Sequence, residues 1–418
     1  MHYFLYQITL HLLLPFTLIK IFYRSLKQPE YLKHIGERYG VFLPNKKLFS
    51  GKKKTIWFHC VSVGETNAIR NLLLELEKQH PDANFLISHT TPTGRKVALA
   101  PSKKITRVYL PFDSFFLIQR FLNFFKPTIL LVIETEIWPG LIRECVKHNI
   151  PTLLINGRLS DKSLKGYLKI KTLIQDCLQN FSEIMVQSNE DKHNFSKLTQ
   201  NKISVHPSLK YNQQAPKNSL REAERWIDKF KLHQKYVVTL LSSREGEEEI
   251  FLRLISKLNN KNLVLIIVPR HPQRFNTVQS IIKKANIPYI TRDGEKIEEN
   301  FKVMLGNSMG EIYQYIGISS IVFMGGSFKS YGSQNPIEPL SLLKPTIVGP
   351  SIYNFKNIIL DAEKAKAIIK IREDQIIKII KQYEPAKARQ KMISQINNFI
   401  RSKNQKQKSL IRLINQYL

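Results

Sequence analysis

Cysteine is scarce in this chain: three in 418 residues, Cys60, Cys145 and Cys177. No two form a CxxC pair, so neither a zinc site nor a disulfide framework is indicated, and a reducing compartment fits. Acidic residues are also few, 33 against 64 lysines and arginines, which leaves a formal net charge of +31. Such an excess predicts anionic partners: nucleic acid, anionic lipid or a phosphorylated substrate. Several chemical signatures are missing. There is no GxxxxGK[ST], so a P-loop kinase is not supported. There is no GxGxxG after the first expected strand, which disfavours a dinucleotide-binding oxidoreductase. HExxH is absent, as is an Asp-x-Asp flanked by strand, a common metal grip of sugar transferases. No metal site and no cofactor are therefore expected. A nucleic-acid binder would interleave basic and aromatic residues on one face. Carboxylates stand at the strand ends instead, so nucleic acid is not an expected partner.

What is present begins with a long apolar run. Residues 3–22 read YFLYQITLHLLLPFTLIKIF, about the roughly 20 residues a membrane-spanning helix needs. His11, Pro15 and Lys20 interrupt it. No small-residue cleavage site follows, so a secretory signal is not expected. Basic residues follow instead, Lys20, Arg24, Lys27, Lys33 and Arg38, and the positive-inside rule keeps the body of the protein cytoplasmic. The expectation is a membrane anchor over residues 1–26, spanning or half-inserted.

Beyond it, strands and helices alternate. Apolar, β-branched runs at Thr55–Val61, Phe85–Ser88, Arg107–Leu110, Ile129–Ile133 and Thr152–Ile155 are separated by helical stretches such as Thr66–Gln79 and Ser114–Phe125. A second set follows at Tyr236–Leu241, Leu263–Val268, Lys302–Leu305, Ile321–Met324, Thr346–Val348 and Ala367–Ile371. This is the pattern of α/β, doubly wound parallel sheets. The expected layout is a first Rossmann-like domain over 27–212, a linker over 213–220, a second over 221–395, and a basic C-terminal helix over 396–418 that packs back on the first. An interruption is expected around Ser402–Gln407. Ligands of such sheets bind beyond the carboxyl ends of the strands, so two facing domains predict an interdomain cleft.

The unusual polar groups fall just after expected strands. Ser62-Val63-Gly64-Glu65-Thr66 follows the first; a carboxylate at a helix start is favoured by the dipole, and in a cleft it suits a general base. Glu134-Thr135-Glu136 leaves an otherwise apolar strand, where carboxylates are costly unless paired or used. Asn156-Gly157-Arg158 suits an anion contact. In the second half, Ser242–Glu247, Pro269-Arg270-His271, Asn307–Glu311 and Gly325–Glu338 occupy the same kind of position. Arg270 offers a planar fork for phosphate. Pro336, read as a first helical position, would leave helix N–H groups free for a phosphate. The acids Glu247–Glu249 read as an ordinary first helical turn.

Taken in order, WFHCVSVGET, SHTTPTG, YLPFD, IETEIWP, INGRLS, SLKY, SSREGEEE, VPRHPQRF, NSMGE, FMGGS and NPIEP, spanning residues 57–339, resemble the 3-deoxy-D-manno-octulosonic acid (Kdo) transferase family of lipopolysaccharide synthesis. The resemblance implies a GT-B glycosyltransferase that needs no metal, with CMP-Kdo as donor and a tetra-acylated lipid A precursor, lipid IVA, as acceptor. Inversion at the anomeric carbon is the expected outcome of direct displacement. The resemblance also implies an enzyme at the cytoplasmic face of the inner membrane of a Gram-negative cell, among inner-membrane lipids. Carried over by position, Glu65 is the proton acceptor, and Glu134 and Lys210 stabilise the transition state. Pro269, Arg270, Met309, Gly310, Glu311, Asn335, Pro336, Ile337 and Glu338 hold the CMP. The chain departs from the family at His206-Pro207, at Arg244 where His is usual, and at Ser333-Gln334 where Gly-His is usual. The alternative is another GT-B enzyme that uses a UDP-sugar, a transferase or an epimerase.

Overall fold

The computed structural model describes residues 2–42, 49, 53–97, 105–212, 215–216, 218–258, 260–294 and 300–418. The sequence clusters Lys46, Lys47, Lys52, Lys53 and Lys54 ahead of the first strand, and of these Lys46, Lys47 and Lys52 lie outside the described residues. The chain divides into two compact units: residues 1–210 with 405–418, and residues 211–404.

The first unit holds a seven-stranded parallel sheet: β1 Thr55–His59, β2 Asn84–His89, β3 Ile105–Tyr109, β4 Ile129–Ile133, β5 Thr152–Gly157, β6 Glu183–Val186 and β7 Ile203–Val205. Their spatial order is β3-β2-β1-β4-β5-β6-β7. The central strands are covered on both faces, which is why they read as continuous apolar runs. Ile56 and Phe58 of β1 face one core with Leu72, Leu76, Leu410 and Ile414. Trp57 between them faces the other core, with Phe121 and Leu141, as the two-residue side-chain period requires. The order reverses between β1 and β4, and that switch point is where the strand-end loops diverge to leave a crevice.

The second unit repeats the architecture with β8 Tyr236–Ser243, β9 Leu263–Pro269, β10 Tyr289–Thr291, β11 Val303–Leu305, β12 Ile321–Met324, β13 Thr346–Val348 and β14 Ile368–Lys370. The order is β10-β11-β9-β8-β12-β13-β14, all parallel. Its switch point lies between β8 and β12.

Several segments differ from the sequence reading. Strands β6, β7 and β10 were not expected; they are three or four residues long. The expected helix Thr66–Gln79 is two, Val63–Ala68 and Arg70–Gln79. The expected break at Ser402–Gln407 does not occur, because one helix runs from Ala386 to Asn415. Lysine and glutamine are good helix formers, and tertiary bonds hold the segment. Lys403 pairs with Asp361, and the buried Gln407 donates to the Ser208 carbonyl at 3.1 Å. In the expected linker, Ser219 already opens the helix Ser219–Lys229.

The N-terminal helix, His2–Lys27, is long and apolar enough to cross a membrane, and Pro15 lies inside it without breaking it. Gln7, Ile21 and Ser25 are buried on one side. Phe4, Ile8, Leu12, Phe16, Ile19, Tyr23 and Leu26 are exposed on the other at three- and four-residue spacing. Gln7 donates to the Asp113 carbonyl at 3.0 Å and accepts from the Phe115 amide at 3.1 Å. Tyr6 donates to the Asp113 carboxylate at 2.7 Å. His11 bonds Ser114 and Thr17 bonds Tyr39.

Candidate functional site

In the first unit the carboxylates gather at the β1/β4 switch point. Ser62 caps the helix that follows β1, accepting from the Glu65 amide at 3.3 Å. Glu65 folds back over that turn: Oε1 accepts from the Ser62 hydroxyl and Oε2 from the Val61 amide, both at 2.7 Å. The side chain is buried, and burial raises its proton affinity above the ordinary carboxylate range. The two hydrogen bonds oppose that rise, and the charge of Glu134 adds to it. Glu134 follows β4 in the left-handed region, φ 62°, a conformation that costs a non-glycine residue about 1 kcal/mol. Glu136 follows. Burial, then the charges of Glu65 and Glu134, push it up to about 7, although it accepts from the Trp138 indole at 2.9 Å. Glu136 does not cap the next helix; that helix begins at Pro139 after Trp138.

Lys210 stands on the short turn Leu209–Asn212. The turn is tied to the end of β5, where Asn156, itself at φ 60°, accepts from the Leu209 amide at 3.1 Å. Arg158, one turn further on, is exposed. Glu65, Glu134, Glu136, Asn156 and Lys210 thus all sit at the carboxyl edge of one sheet.

Sequence reasoning missed the support beneath them. His59 and His89 are buried, and burial lowers them to about 3 and about 4, so both are neutral near pH 7. The His89 ring bonds the Cys60 carbonyl at 3.0 Å and the His59 ring bonds Ser88 at 2.9 Å. Asp113, the last residue of YLPFD, accepts from the Gly140 and Leu141 amides at 2.7 and 2.6 Å. It thereby holds the start of the helix that follows the Glu134–Pro139 segment. A Cβ on Gly140 would stand 2.2 Å from the Asp113 carbonyl oxygen, so glycine is required there.

In the second unit the cationic residues converge at the ends of β8 and β9. Arg270 follows β9 and is exposed; its Nε donates to Gln334 at 3.1 Å. Arg244 bonds the His271 ring at 2.9 Å and lies over the Tyr331 ring at 4.6 Å. Desolvation, then the charges of Arg244, Arg270 and Arg274, lower the proton affinity of His271. Two of the departures from the family pattern, Arg244 and Gln334, therefore contact the cluster itself. Pro269 ends β9 as its last residue.

The Asn307–Glu311 loop leaves β11. Met309 is exposed, and Gly310 has φ 81° with open space around it. Glu311 is anchored by Arg292 at 2.8 Å. Asn335 accepts from the Ile337 amide at 3.2 Å. Pro336 is the cap of the helix Ile337–Ser341 rather than its first residue, so the first helical N–H is already engaged. Glu338 is pushed up to about 7 by burial, against the Asn335 hydrogen bond and the charge of Arg270.

The acids Glu247 and Glu248 are not an ordinary exposed first turn. Both are fully buried. Glu247 accepts from the amides of Arg244, Gly326 and Phe328 at 2.9, 2.7 and 2.9 Å. Glu248 takes Arg274 through both oxygens and Ser243 through one. One carboxylate thus ties the loop after β8 to the loop after β12. The second fixes the start of the helix Phe275–Lys284. Gly325 lets the two loops meet, since a Cβ there would lie 2.2 Å from the Ser242 carbonyl.

A family profile described as "3-Deoxy-D-manno-octulosonic-acid transferase (kdotransferase)" matches residues 33–213. The 3-deoxy-D-manno-octulosonic acid transferase of Haemophilus influenzae is 34% identical over 374 residues, covering 88% of this chain and 87% of its own. That of Rickettsia bellii is 31% identical over 385 residues, covering 89% and 88%. Among solved structures, a glycosyltransferase from Rickettsia africae superposes with a TM-score of 0.58 at 13% identity, over 88% of this chain and 99% of that one. UDP-GlcNAc 2-epimerase from Neisseria meningitidis gives 0.58 at 15%, over 86% and 100%. These two likenesses establish the fold alone, the GT-B arrangement of two Rossmann-like units.

Proposed function

The chain belongs to the Kdo transferases of lipopolysaccharide synthesis, and from that premise we propose that it moves Kdo from CMP-Kdo to a tetra-acylated lipid A precursor with inversion. The observation that carries the reading is Glu65: a buried carboxylate of raised proton affinity, seated at the switch point beside Glu134 and Glu136. A base for a sugar hydroxyl needs an affinity nearer neutral pH than a free carboxylate has.

In the displacement, the acceptor oxygen bonds to the anomeric carbon of Kdo as the bond from that carbon to the CMP phosphate oxygen breaks. The hydroxyl proton passes to Glu65, and the electron pair leaves with CMP. Positive charge grows on the sugar ring, where Glu134 opposes it. Lys210 balances the donor's own carboxylate. The leaving phosphate meets Arg270, held in orientation by Gln334, in a cluster that includes Arg244 and His271. Pro269, Met309, Gly310, Glu311 and residues 335–338 complete the CMP site. With cationic side chains at that position, no divalent metal is required.

The same reading places the enzyme at the cytoplasmic face of the inner membrane, with the N-terminal helix lying along the bilayer surface. Side chains from Tyr6 to Thr17 bond Asp113, Ser114, Phe115 and Tyr39. Arg143 lies 4.3 Å over the ring of Tyr3, and Arg24 lies 5.6 Å over Tyr31. At 1.5 Å rise per residue these ties extend over about 30 Å of helix, the whole thickness of the hydrocarbon core. A perpendicular span would carry the bonded loops into lipid. The exposed apolar face continues onto Phe115 and Phe116, and the exposed Lys169 and Lys171 share a cavity wall with His2, Leu5 and Thr9 of the helix, suited to anionic headgroups.

The test is transfer by the purified chain from CMP-Kdo to the lipid A precursor, read by mass spectrometry with and without a chelator. Glu65→Gln is expected to lower kcat by about 10²- to 10⁴-fold while CMP still raises the melting temperature. EDTA is expected to change nothing. Full turnover by Glu65→Gln would remove Glu65 as the base, and stabilisation by UDP in preference to CMP would favour a UDP-sugar enzyme.

A further inference from the structure

Arg38 follows the N-terminal helix and reads in the sequence as one more basic flank. In the fold it is 6% exposed. Its Nη2 donates to the Thr90 carbonyl at 2.9 Å and its guanidinium lies 3.9 Å over the Tyr109 ring. Its Nε is buried with no hydrogen-bond partner. The adjacent carboxylate, Glu37, is occupied elsewhere, by Arg95 and by the Tyr109 amide. A buried guanidinium without an anion is costly, and such groups are kept when paired or put to use.

Arg38 lines a cavity of about 250 Å³ together with Lys20 and Arg24, which reach it from successive turns of the N-terminal helix. One carboxylate also lines it, that of Asp113. Both Asp113 oxygens are already used: Oδ1 by the Leu141 amide, Oδ2 by Tyr6 and the Gly140 amide. Three cations therefore face a space in which, among the described residues, the one lining acid is already engaged. The cavity adjoins the carboxylate cluster on two sides. Thr91, in its wall, donates to the Val61 carbonyl at 2.7 Å, and the Val61 amide holds Glu65. Trp138, also in its wall, donates to Glu136.

We propose that Lys20, Arg24 and Arg38 form a binding site for a phosphate monoester carried by the acceptor lipid, separate from the groups that meet the donor's phosphate. Its position beside Glu65 suits a phosphate on the same molecule as the attacking hydroxyl, and the apolar helix that supplies two of the cations brings the site to the lipid. The site rests on the transferase reading for the identity of the lipid. It does three things for the reaction: it selects phosphorylated acceptors, holds the sugar in register with the base, and neutralises a headgroup that would otherwise repel the three glutamates. Arginine and lysine together match a phosphate's several acceptor oxygens.

The full chain in detergent micelles is compared on the lipid A precursor and on the same lipid after phosphatase treatment. Acceptor binding is read by intrinsic tryptophan fluorescence and Kdo transfer by mass spectrometry, for wild type, Lys20→Gln/Arg24→Gln and Arg38→Gln. Wild type is expected to prefer the phosphorylated acceptor in KM. The double variant, altered at exposed positions so that melting is unchanged, is expected to lose that preference by about tenfold or more with kcat little altered. Arg38→Gln is expected to do the same if it folds. A wild type that binds both acceptors equally, or a double variant that keeps the full preference, would overturn the site. So would inhibition by inorganic phosphate at concentrations near the lipid's KM, since the site would then take any small phosphate. Phosphate-dependent binding without Kdo transfer would instead count against the transferase reading and leave the site standing.

Discussion

Glu65, Glu134 and Glu136 repel one another when ionised, and the charges of Glu65 and Glu134 both raise Glu136. The titration of Glu65 and Glu136 is shared, so the acid limb of kcat/KM belongs to that pair rather than to one residue. Glu136→Gln removes one negative neighbour from Glu65. It is expected to shift that limb to lower pH by about half a unit to one unit, measured as kcat/KM between pH 4 and 8. Stability has its own sign. The folded chain binds the Glu136 proton more tightly than the unfolded chain, in which Glu136 titrates near 4.5. The unfolded state therefore ionises first as pH rises, and folding loses free energy between about pH 4.5 and 7. In Glu136→Gln that loss is absent. The variant should be more stable than wild type above pH 7, by about 1–3 kcal/mol, with the advantage shrinking toward pH 4.5 in thermal melts. In the second unit, Glu247→Gln replaces one acceptor oxygen with an NH₂ group among three backbone donors. It is expected to weaken CMP binding about tenfold by releasing the Gly325–Phe328 loop, as read by calorimetric titration.

The helix Pro139–Lys147 depends on a residue 26 positions before it. Asp113 accepts two of its free N-terminal amides, which an N-cap side chain usually does. Asp113→Ala would leave both amides and the Tyr6 hydroxyl without their buried partner, for a cost of about 2–4 kcal/mol. Chemical denaturation should show it as a lower midpoint, with Asp113→Asn recovering part of the loss. The YLPFD stretch was legible as a motif, but its role was not, because the bond joins two elements that no local spacing relates. The long parallel strands β1, β2, β4, β5, β8 and β9 were legible because both faces are buried and the apolar run is unbroken. The strands β7 and β10 were not: their apolar residues are interrupted by Ser204 and ended by Thr291. Ser402–Gln407 reads as a polar break, yet contacts to Asp361 and Ser208 make it helix. Glu247 reads as a favourable helix-start charge for the same reason in reverse: its partners, Gly326 and Phe328, lie about eighty residues away.

For the whole molecule, the charge of +31 and the apolar face of the first helix would act on a membrane by different laws. Charge attraction to anionic headgroups fades within a Debye length of about 8–10 Å and with added salt; apolar insertion does not. Vesicles containing anionic lipid should bind the chain strongly at low salt and less at high salt, with a residue of binding that neutral vesicles share. Leu12→Asp/Phe16→Asp places two carboxylates on the exposed face. At about 2.5–3.5 kcal/mol per buried charge, it should abolish the salt-resistant part while melting stays unchanged. Sedimentation with vesicles measures both. The long apolar helix was readable from its hydropathy, but the bonds that tie it to its domain were not, because Tyr6, Gln7, His11 and Thr17 gain meaning only from partners about twenty to more than a hundred positions later.

Unit one is built from both sides of unit two in the chain: residues 405–418 supply Leu410 and Ile414 to the core that also contains Ile56, Leu72 and Leu76. During synthesis, roughly 200 residues separate its early part from those last contributors, about 10–40 s at ~5–20 residues per second. Over that interval the nascent first sheet has one face incompletely covered. The intervening unit holds its own core entirely within residues 211–404, so it can finish before the unit that was begun first.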